Sequence, residues 1–256
     1  MSVYYISMGK LKFRPLLHTL KRVGKHVFMP GKVALGTLSA VSKHAPYVLN
    51  KLLPGRTKRE GYVPQDYNED KTFSELGYTP LKDVGSINDK LKNTGYVMDH
   101  DLSTDEQKVF YNPHKKKVTI SCRGTKPTSI KDLHSDWYIA TGTEHKNKRF
   151  KDSDAHFQKV HSKYNGYEMT TTGHSLGGQI SKYVNDKNRG KVHRNVAFSR
   201  GTGLFEMFKP KQRNTVDISN NNDLISLGAR LQGGKHVIET TPKNFAQAHD
   251  LQSLYR

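Results

Sequence analysis

The chain has 256 residues, of which only 34% are hydrophobic, and its formal net charge is +19. This length is enough to bury a sizeable core. The single cysteine, Cys122, excludes an intrachain disulfide and favours a reducing compartment. The first nine residues lack the basic start and apolar core of a secretory signal, and no uncharged apolar run reaches the ~18–20 residues that cross a bilayer. We therefore expect a protein that is soluble or bound to a membrane surface.

Residues 1–60 form a basic extension, for which two helices are predicted. Between Lys10 and Arg59 there are 12 lysines or arginines and no acidic residue. One helix would follow Pro15, and a second would run from about Val33 to Leu53, each with an apolar stripe. An anionic membrane surface or the phosphates of nucleic acid would be attracted by residues 10–59. A solvated tail and a packed helical surface are the alternatives, and the sequence leaves them open.

Residues 61–105 are polar, and we interpret them as a linker with short helices, such as one around Ile87–Leu91. From residue 106 the pattern changes, and a third region runs to residue 256. Strands and helices are expected to alternate there, with strands over Lys108–Asn112, Lys117–Cys122, Tyr167–Thr172, Asn195–Ser199, Thr215–Ser219 and Lys235–Glu239, and helices over Asp152–Tyr164 and Leu176–Asp186. This alternation predicts an α/β fold, with a mostly parallel sheet flanked by helices.

The sequence Gly-His-Ser-Leu-Gly at residues 173–177 lies between a predicted strand and a predicted helix. That context is typical of a nucleophile elbow, in which a sharp turn exposes the serine hydroxyl. Glycines let the strand and the helix pass closely, and the helix N-terminus stabilises negative charge that develops nearby. We therefore predict that Ser175 is a nucleophile. The alternative is an ordinary glycine-rich turn in which the serine caps the helix.

A serine hydroxyl needs a base to take its proton and a carboxylate to orient that base. In this arrangement the acid and then the histidine follow the serine along the chain. Asp223 directly follows a predicted strand, whereas Asp217, the second choice, lies inside it. His249, in a predicted terminal loop, is preferred to His236, which falls in a predicted strand. The predicted catalytic residues are therefore Ser175, Asp223 and His249.

Residues 106–256 resemble the class three lipases, the fungal triacylglycerol lipase group of the α/β-hydrolase superfamily. Four separated pieces carry the resemblance: Arg123-Gly124-Thr125 after a strand, Asp136-Trp137, the Gly-His-Ser-Leu-Gly-Gly elbow, and an Asn-Asp pair followed by a late histidine. The resemblance implies that the backbone amides of Thr125 and Leu176 form the oxyanion hole.

The same resemblance implies a lid over residues 126–141. Ile130, Leu133 and Trp137 fall at i, i+3 and i+7, which predicts a short helix with one apolar face. A helix packed permanently on the domain is the alternative. The chain departs from the family at two places. An acidic residue is missing a few positions after Trp137, and the segment Phe198–Gly203 lacks the usual proline.

We therefore expect a carboxylic ester hydrolase that acts on lipid or phospholipid esters through an acyl-enzyme, with no metal and no organic cofactor. One alternative is a catalytically dispensable hydrolase fold whose basic extension binds membrane or nucleic acid. Nothing in residues 1–60 is suited to reading bases, so nucleic-acid binding there would involve phosphates without sequence preference. Another alternative is an acyltransferase or a peptidase with the same three residues.

Overall fold

The computed structural model describes residues 65–125, 148–202, 210–223, 225–232, 234–239 and 243–254. The basic extension 1–60 lies outside the described residues. The expected lid, 126–141, with Ile130, Leu133 and Trp137, lies outside them too, and both features stay predictions. Within the described ranges, every helix is too short or too polar to cross a membrane.

A seven-stranded sheet forms the centre of the described chain. Its strands lie side by side in sequence order: β1 (Val97–Met98), β2 (Gln107–Asn112), β3 (Lys117–Cys122), β4 (Glu168–His174), β5 (Arg194–Phe198), β6 (Thr215–Asn220) and β7 (Lys235–Glu239). Strand β2 is antiparallel to both of its neighbours, β1 and β3, and β3 to β7 are parallel. The prediction of a mostly parallel sheet flanked by helices is confirmed.

Helices cover both faces of this sheet. They are α1 (Gln65–Leu76), α2 (Val84–Leu91), α3 (Lys148–Lys163), α4 (Leu176–Lys187) and the short α5 (Leu227–Leu231) and α6 (Phe245–His249). Successive residues of a strand face opposite sides of a sheet. Val109 accordingly packs in the core cluster of α3 and α4, while Phe110 stacks on Phe73 of α1 with ring centroids 5.0 Å apart.

Residues 65–105 belong to the packing of the sheet and do not form the linker that composition suggested. Phe73 and Leu76 of α1 are fully buried, and the Ser74 hydroxyl lies 2.8 Å from the Thr172 hydroxyl of β4. The expected helix around Ile87 is present as α2, and Ile87 is buried. The sequence of α1 does not indicate a buried face, because Ser74 on that face is polar and contacts a polar residue of the sheet. The fold therefore reaches back at least to Gln65.

The parallel strands place their carboxyl ends along one edge of the sheet. In open α/β sheets, binding and catalytic groups gather outside this edge, in the segments that follow the strands. Ser175 follows β4 directly, Asp223 follows β6, and His249 lies beyond β7. We call this the carboxyl edge. The topology alone thus brings the three predicted catalytic residues to one side of the sheet.

Candidate active site

Ser175 occupies a strained turn between β4 and α4. Its φ is 56° and its ψ is −124°, a region that non-glycine residues rarely adopt. The backbone holds this conformation, because Ser175 N–H donates to the Phe198 carbonyl (3.0 Å) and its own carbonyl accepts from Gly201 N–H (3.1 Å). The side chain makes no hydrogen bond as a helix cap, contrary to the cap alternative. The Ser175 hydroxyl therefore keeps its donor and acceptor capacity for another partner.

Two glycines allow the elbow to pack against the neighbouring strand. A Cβ atom added to Gly177 would lie 2.1 Å from the Cys122 carbonyl oxygen and 2.8 Å from the Gly124 nitrogen. A Cβ atom on Gly173 would lie 2.5 Å from the backbone of Gly177. Contacts this short do not occur for real Cβ atoms, so no larger residue fits without moving the backbone. The close approach brings the end of β3 against the first turn of α4.

The three predicted catalytic residues form a continuous hydrogen-bonded chain. His249 Nε2 lies 2.9 Å from Ser175 Oγ, and His249 Nδ1 lies 3.1 Å from both carboxylate oxygens of Asp223. A carboxylate only accepts, so Nδ1 carries the proton and Nε2 accepts from the serine hydroxyl. All three residues are buried. Asp223 is held in turn, because the backbone N–H of Ile225 donates to its Oδ1 at 3.0 Å.

His249 is the last residue of helix α6, where the sequence suggested a loop. The helix begins with a capping box in which the side chains of Asn244 and Gln247 each accept from the backbone N–H of the other residue. Five residues give too little apolar periodicity for this short helix to be predicted from the sequence. A capped helical turn restricts the backbone that carries the His249 imidazole.

The electrostatic surroundings keep Asp223 ionised. Burial acts to raise its pKa, but the neighbouring and hydrogen-bonded imidazole of His249, with Arg230 and Ser226, lowers the pKa below its usual value. The Arg230 guanidinium is itself fixed by hydrogen bonds from its Nη1 to the Asn220 carbonyl (2.6 Å) and to Ser226 (2.9 Å). Asp223 therefore accepts from His249 without taking its proton.

The second choices for acid and base belong to a different buried cluster. Asp217 accepts from Nε and Nη2 of Arg200 at 2.6 and 3.0 Å and from Lys211 at 2.8 Å. Burial opposes its ionisation, but these cations hold the pKa of Asp217 well below its usual range. His236 Nε2 lies 2.8 Å from the Gln232 carbonyl. Arg200 also donates to Gln179 of α4 at 2.7 Å, so this cluster braces the helix that follows Ser175.

Tyr78 and His174 are two further site residues, which sequence reasoning did not single out. His174 Nε2 lies 2.7 Å from the His249 carbonyl oxygen, and the Tyr78 hydroxyl lies 3.0 Å from His174 Nδ1. Because a carbonyl only accepts, Nε2 carries the His174 proton and Nδ1 accepts from Tyr78. Burial and the neighbouring His249 lower the pKa of His174 to about 4. A neutral His174 thus holds the backbone of His249 in place.

The architecture follows from the order of the strands and from the positions of three residues. The strained serine follows the fourth strand, and the acid and the histidine follow later strands. The chain has an α/β-hydrolase fold. This fold is the one that the resemblance to class three lipases implies. A comparison with protein-family models gives no match, and neither does a comparison with curated proteins.

Solved structures with a similar fold include fungal lipases. The Rhizomucor miehei triacylglyceride lipase is 16% identical, with 64% of this chain and 74% of that chain covered and a TM-score of 0.41. A nonglycosylated lipase of Yarrowia lipolytica is 13% identical, with 66% and 77% covered and a TM-score of 0.44.

The two candidate oxyanion-hole residues of this hydrolase fold lie at the carboxyl edge. Leu176 directly follows Ser175 and is the first residue of α4. Thr125 is half-buried and follows Gly124, whose nitrogen lies against Gly177 in the first turn of α4. Gly124 also packs against Tyr78, because a Cβ atom added to this glycine would lie 2.3 Å from the phenol oxygen of Tyr78. Tyr78 therefore connects the segment that leads to Thr125 with the histidine pair on the other side of the elbow.

Proposed function

We propose that this protein hydrolyses carboxylic esters with Ser175 as nucleophile, His249 as general base and acid, and Asp223 as the residue that orients His249. The hydrogen-bonded chain from Ser175 through His249 to Asp223, at 2.9 and 3.1 Å, is the observation that carries this proposal. It is supported by the strained φ of Ser175, which presents the hydroxyl beside the N-terminus of α4.

The reaction begins when Ser175 Oγ attacks the acyl carbonyl carbon and its proton passes to His249 Nε2. The carbonyl oxygen becomes an oxyanion, which the backbone N–H groups of Leu176 and Thr125 would stabilise. One such donor contributes about 3–4 kcal/mol to the transition state. Asp223, kept ionised, stabilises the positive charge that His249 acquires. The C–O bond of the ester then breaks as His249 returns the proton to the departing alcohol oxygen.

The same groups then hydrolyse the acyl-enzyme. Water takes the place of the alcohol, and His249 Nε2 accepts one of its protons as the water oxygen attacks the acyl carbon. The tetrahedral intermediate collapses, the bond to Ser175 Oγ breaks, and the proton on His249 returns to the serine. One ester and one water thus give one acid and one alcohol, and this chain's residues carry every proton. We expect no metal or organic cofactor to take part.

Lipid esters, including phospholipids, are the substrates that we propose. The motifs shared with class three lipases support this choice. The basic extension, residues 10–59, would concentrate the protein on anionic membranes, where each Lys or Arg near the surface contributes about 1 kcal/mol. Residues 126–141 would cover the site as a lid with Trp137 on its apolar face.

Labelling with a fluorophosphonate probe tests the nucleophile directly, because the probe reacts only with an activated serine. We expect wild type and Ser181→Ala to be labelled and Ser175→Ala to remain unlabelled. Ser181 is a matched control, since it is buried in the same helix. Esterase assays on short esters, triglycerides and phospholipids then define the substrate. Labelling of Ser175→Ala at the wild-type rate would overturn the assignment.

The base is tested by comparing His249→Ala with His236→Ala. Residues of a catalytic triad act as a unit, so Ser175→Ala, His249→Ala and the double variant should lose similar amounts of activity, up to about 10⁶-fold. His236→Ala should retain turnover, because His236 contacts the Gln232 carbonyl in another cluster. If His249→Ala turned over at the wild-type rate while His236→Ala did not, the assignment of the base would be wrong.

A further inference from the structure

A dense set of exposed positive charges lies at the amino edge of the sheet, where the parallel strands begin. Seven lysines and arginines there are exposed, and we call this set the basic edge: Lys115, Lys116, Lys187, Arg189, Lys191, Arg213 and Lys235. They come from four separate segments of the chain. None of their side chains takes part in the hydrogen-bonded chain at Ser175 or in the cluster around Asp217, although the backbone carbonyl of Lys235 accepts from Lys211 at 2.7 Å.

The pairing of the strands places these segments together. Lys117 of β3 is level with Glu168 of β4, Arg194 of β5 with Thr170, and Lys235 of β7 with Val216 of β6. Each parallel strand therefore starts at the same edge. The basic residues lie at the last residue of α4, in the turns that enter β3, β5 and β6, or at the first residue of β7. With ~4.8 Å between neighbouring strands, the five strand starts span about 19 Å.

The acidic residues at this edge are engaged elsewhere. Glu168 pairs with Lys117 at 3.4 Å, and Asp186 pairs with the buried Lys182 at 2.6 Å. Across the described parts of the chain, the seven residues of the basic edge have no ion pair. Two of them contact uncharged groups, since Lys187 Nζ lies 5.8 Å from the centroid of the Tyr183 ring and Lys191 Nζ donates to Gln158 at 3.2 Å. No carboxylate among the described residues neutralises the seven charges, which together produce a positive potential that attracts a polyanion.

We infer that the basic edge binds the phosphate backbone of nucleic acid, without sequence preference. Its span of about 19 Å matches five to six base pairs of a duplex at ~3.4 Å each. An anionic bilayer would suit the charge, but not the position. Strand β4, with seven residues at ~3.3 Å, separates the basic edge from Ser175 by about 23 Å. A bilayer bound at the basic edge would lie at the opposite edge of the sheet from the nucleophile. The preference for nucleic acid over a bilayer rests on the proposed function.

The test measures binding of the full-length chain to a fluorescently labelled 20-base-pair DNA duplex by anisotropy over a range of salt concentrations. The variant is Arg189→Gln, Arg213→Gln, Lys235→Gln, with one substitution before β5, one before β6 and one at the start of β7. The control is Lys82→Gln, Lys148→Gln, Lys151→Gln, which removes three exposed charges toward the carboxyl edge. The basic extension is present in every protein, so its contribution to the salt dependence is constant.

We expect the slope of log K against log salt to fall by about 2–3 in the basic-edge variant, since each lost phosphate contact removes about 0.9. The control should keep the wild-type slope, and all proteins should keep their melting temperature and their rate on a soluble ester. An unchanged slope in the variant, or an equal fall in the control, would overturn the inference. Loss of binding to anionic vesicles with DNA binding intact would assign this edge to a membrane instead. Because DNA binding is read without ester hydrolysis, failure here is distinct from failure of the proposed function.

Discussion

Mild acid should destabilise this protein through the buried side chain of His174, and the size of the effect follows from the structure. Burial first, and then the neighbouring His249, lower the pKa of His174 from 6.5 to about 4. The unfolded chain therefore binds this proton at a higher pH than the folded chain, and the contribution to stability is lost as the pH falls from about 6.5 to 4. At 1.36 kcal/mol per pKa unit, the folded state loses about 2.5 kcal/mol between pH 7 and pH 4.5 from this group alone.

The measurement compares urea unfolding of wild type and His174→Gln at pH 7, 5.5 and 4.5. Glutamine carries a donor for the His249 carbonyl and an acceptor for Tyr78, and it does not titrate. The difference between the two proteins cancels the other groups that titrate in this range. Wild type should lose about 2.5 kcal/mol more than the variant on going to pH 4.5. Parallel pH profiles would refute the reasoning, because they would mean that His174 titrates alike in the folded and unfolded states.

Three further changes test the packing and polar contacts of the site. Gly177→Ala should prevent correct packing of the elbow and abolish ester hydrolysis, because its Cβ would lie 2.1 Å from the Cys122 carbonyl oxygen. The control Gly85→Ala has open space around its Cβ and should be neutral or slightly stabilising by thermal melting. Tyr78→Phe should cost about 1–3 kcal/mol in urea unfolding by leaving His174 Nδ1 without a donor, and it should lower kcat more than it raises KM; equal stability to wild type would contradict this contact. Asp223→Asn should fold normally yet lose about 10⁴-fold in kcat, since the amide no longer selects the tautomer of its histidine partner; near-normal turnover would exclude this role.

Elements that depend on neighbouring residues alone could be predicted from local sequence patterns. The boundaries of β3 and β7 agree with those predicted, and the elbow was predicted because strand, glycines and helix follow one another without interruption. The order of Asp223 and His249 after the serine, and their position relative to the strands, predict their roles. The structure brings these two residues together at the carboxyl edge through the order of the strands, whereas the alternation of strands and helices predicts only a mostly parallel sheet.

Contacts between distant segments could not be read from the sequence. Tyr78 reaches His174 across 96 positions, from a segment whose polar composition suggested a linker. Arg200 and Asp217 satisfy each other inside the core, so neither looks different from a surface charge in the sequence. A pattern of apolar residues detects packing against an apolar core. It does not detect a buried residue whose partner is another polar side chain.

The buried charges next to the elbow have a physical role that follows from strain. Ser175 and Ser199, at the ends of neighbouring strands, both have positive φ, at 56° and 42°. Each such residue costs on the order of 1–3 kcal/mol and persists only where the surroundings over-determine it. Arg200 lies directly after the second strained residue and donates to Asp217 of β6 and to Gln179 of α4. The Arg200 guanidinium thus links strand β6 to helix α4, which follows the nucleophile. A buried ion pair is weak support for stability in general, but here its fixed geometry restrains the turn that presents Ser175 to His249.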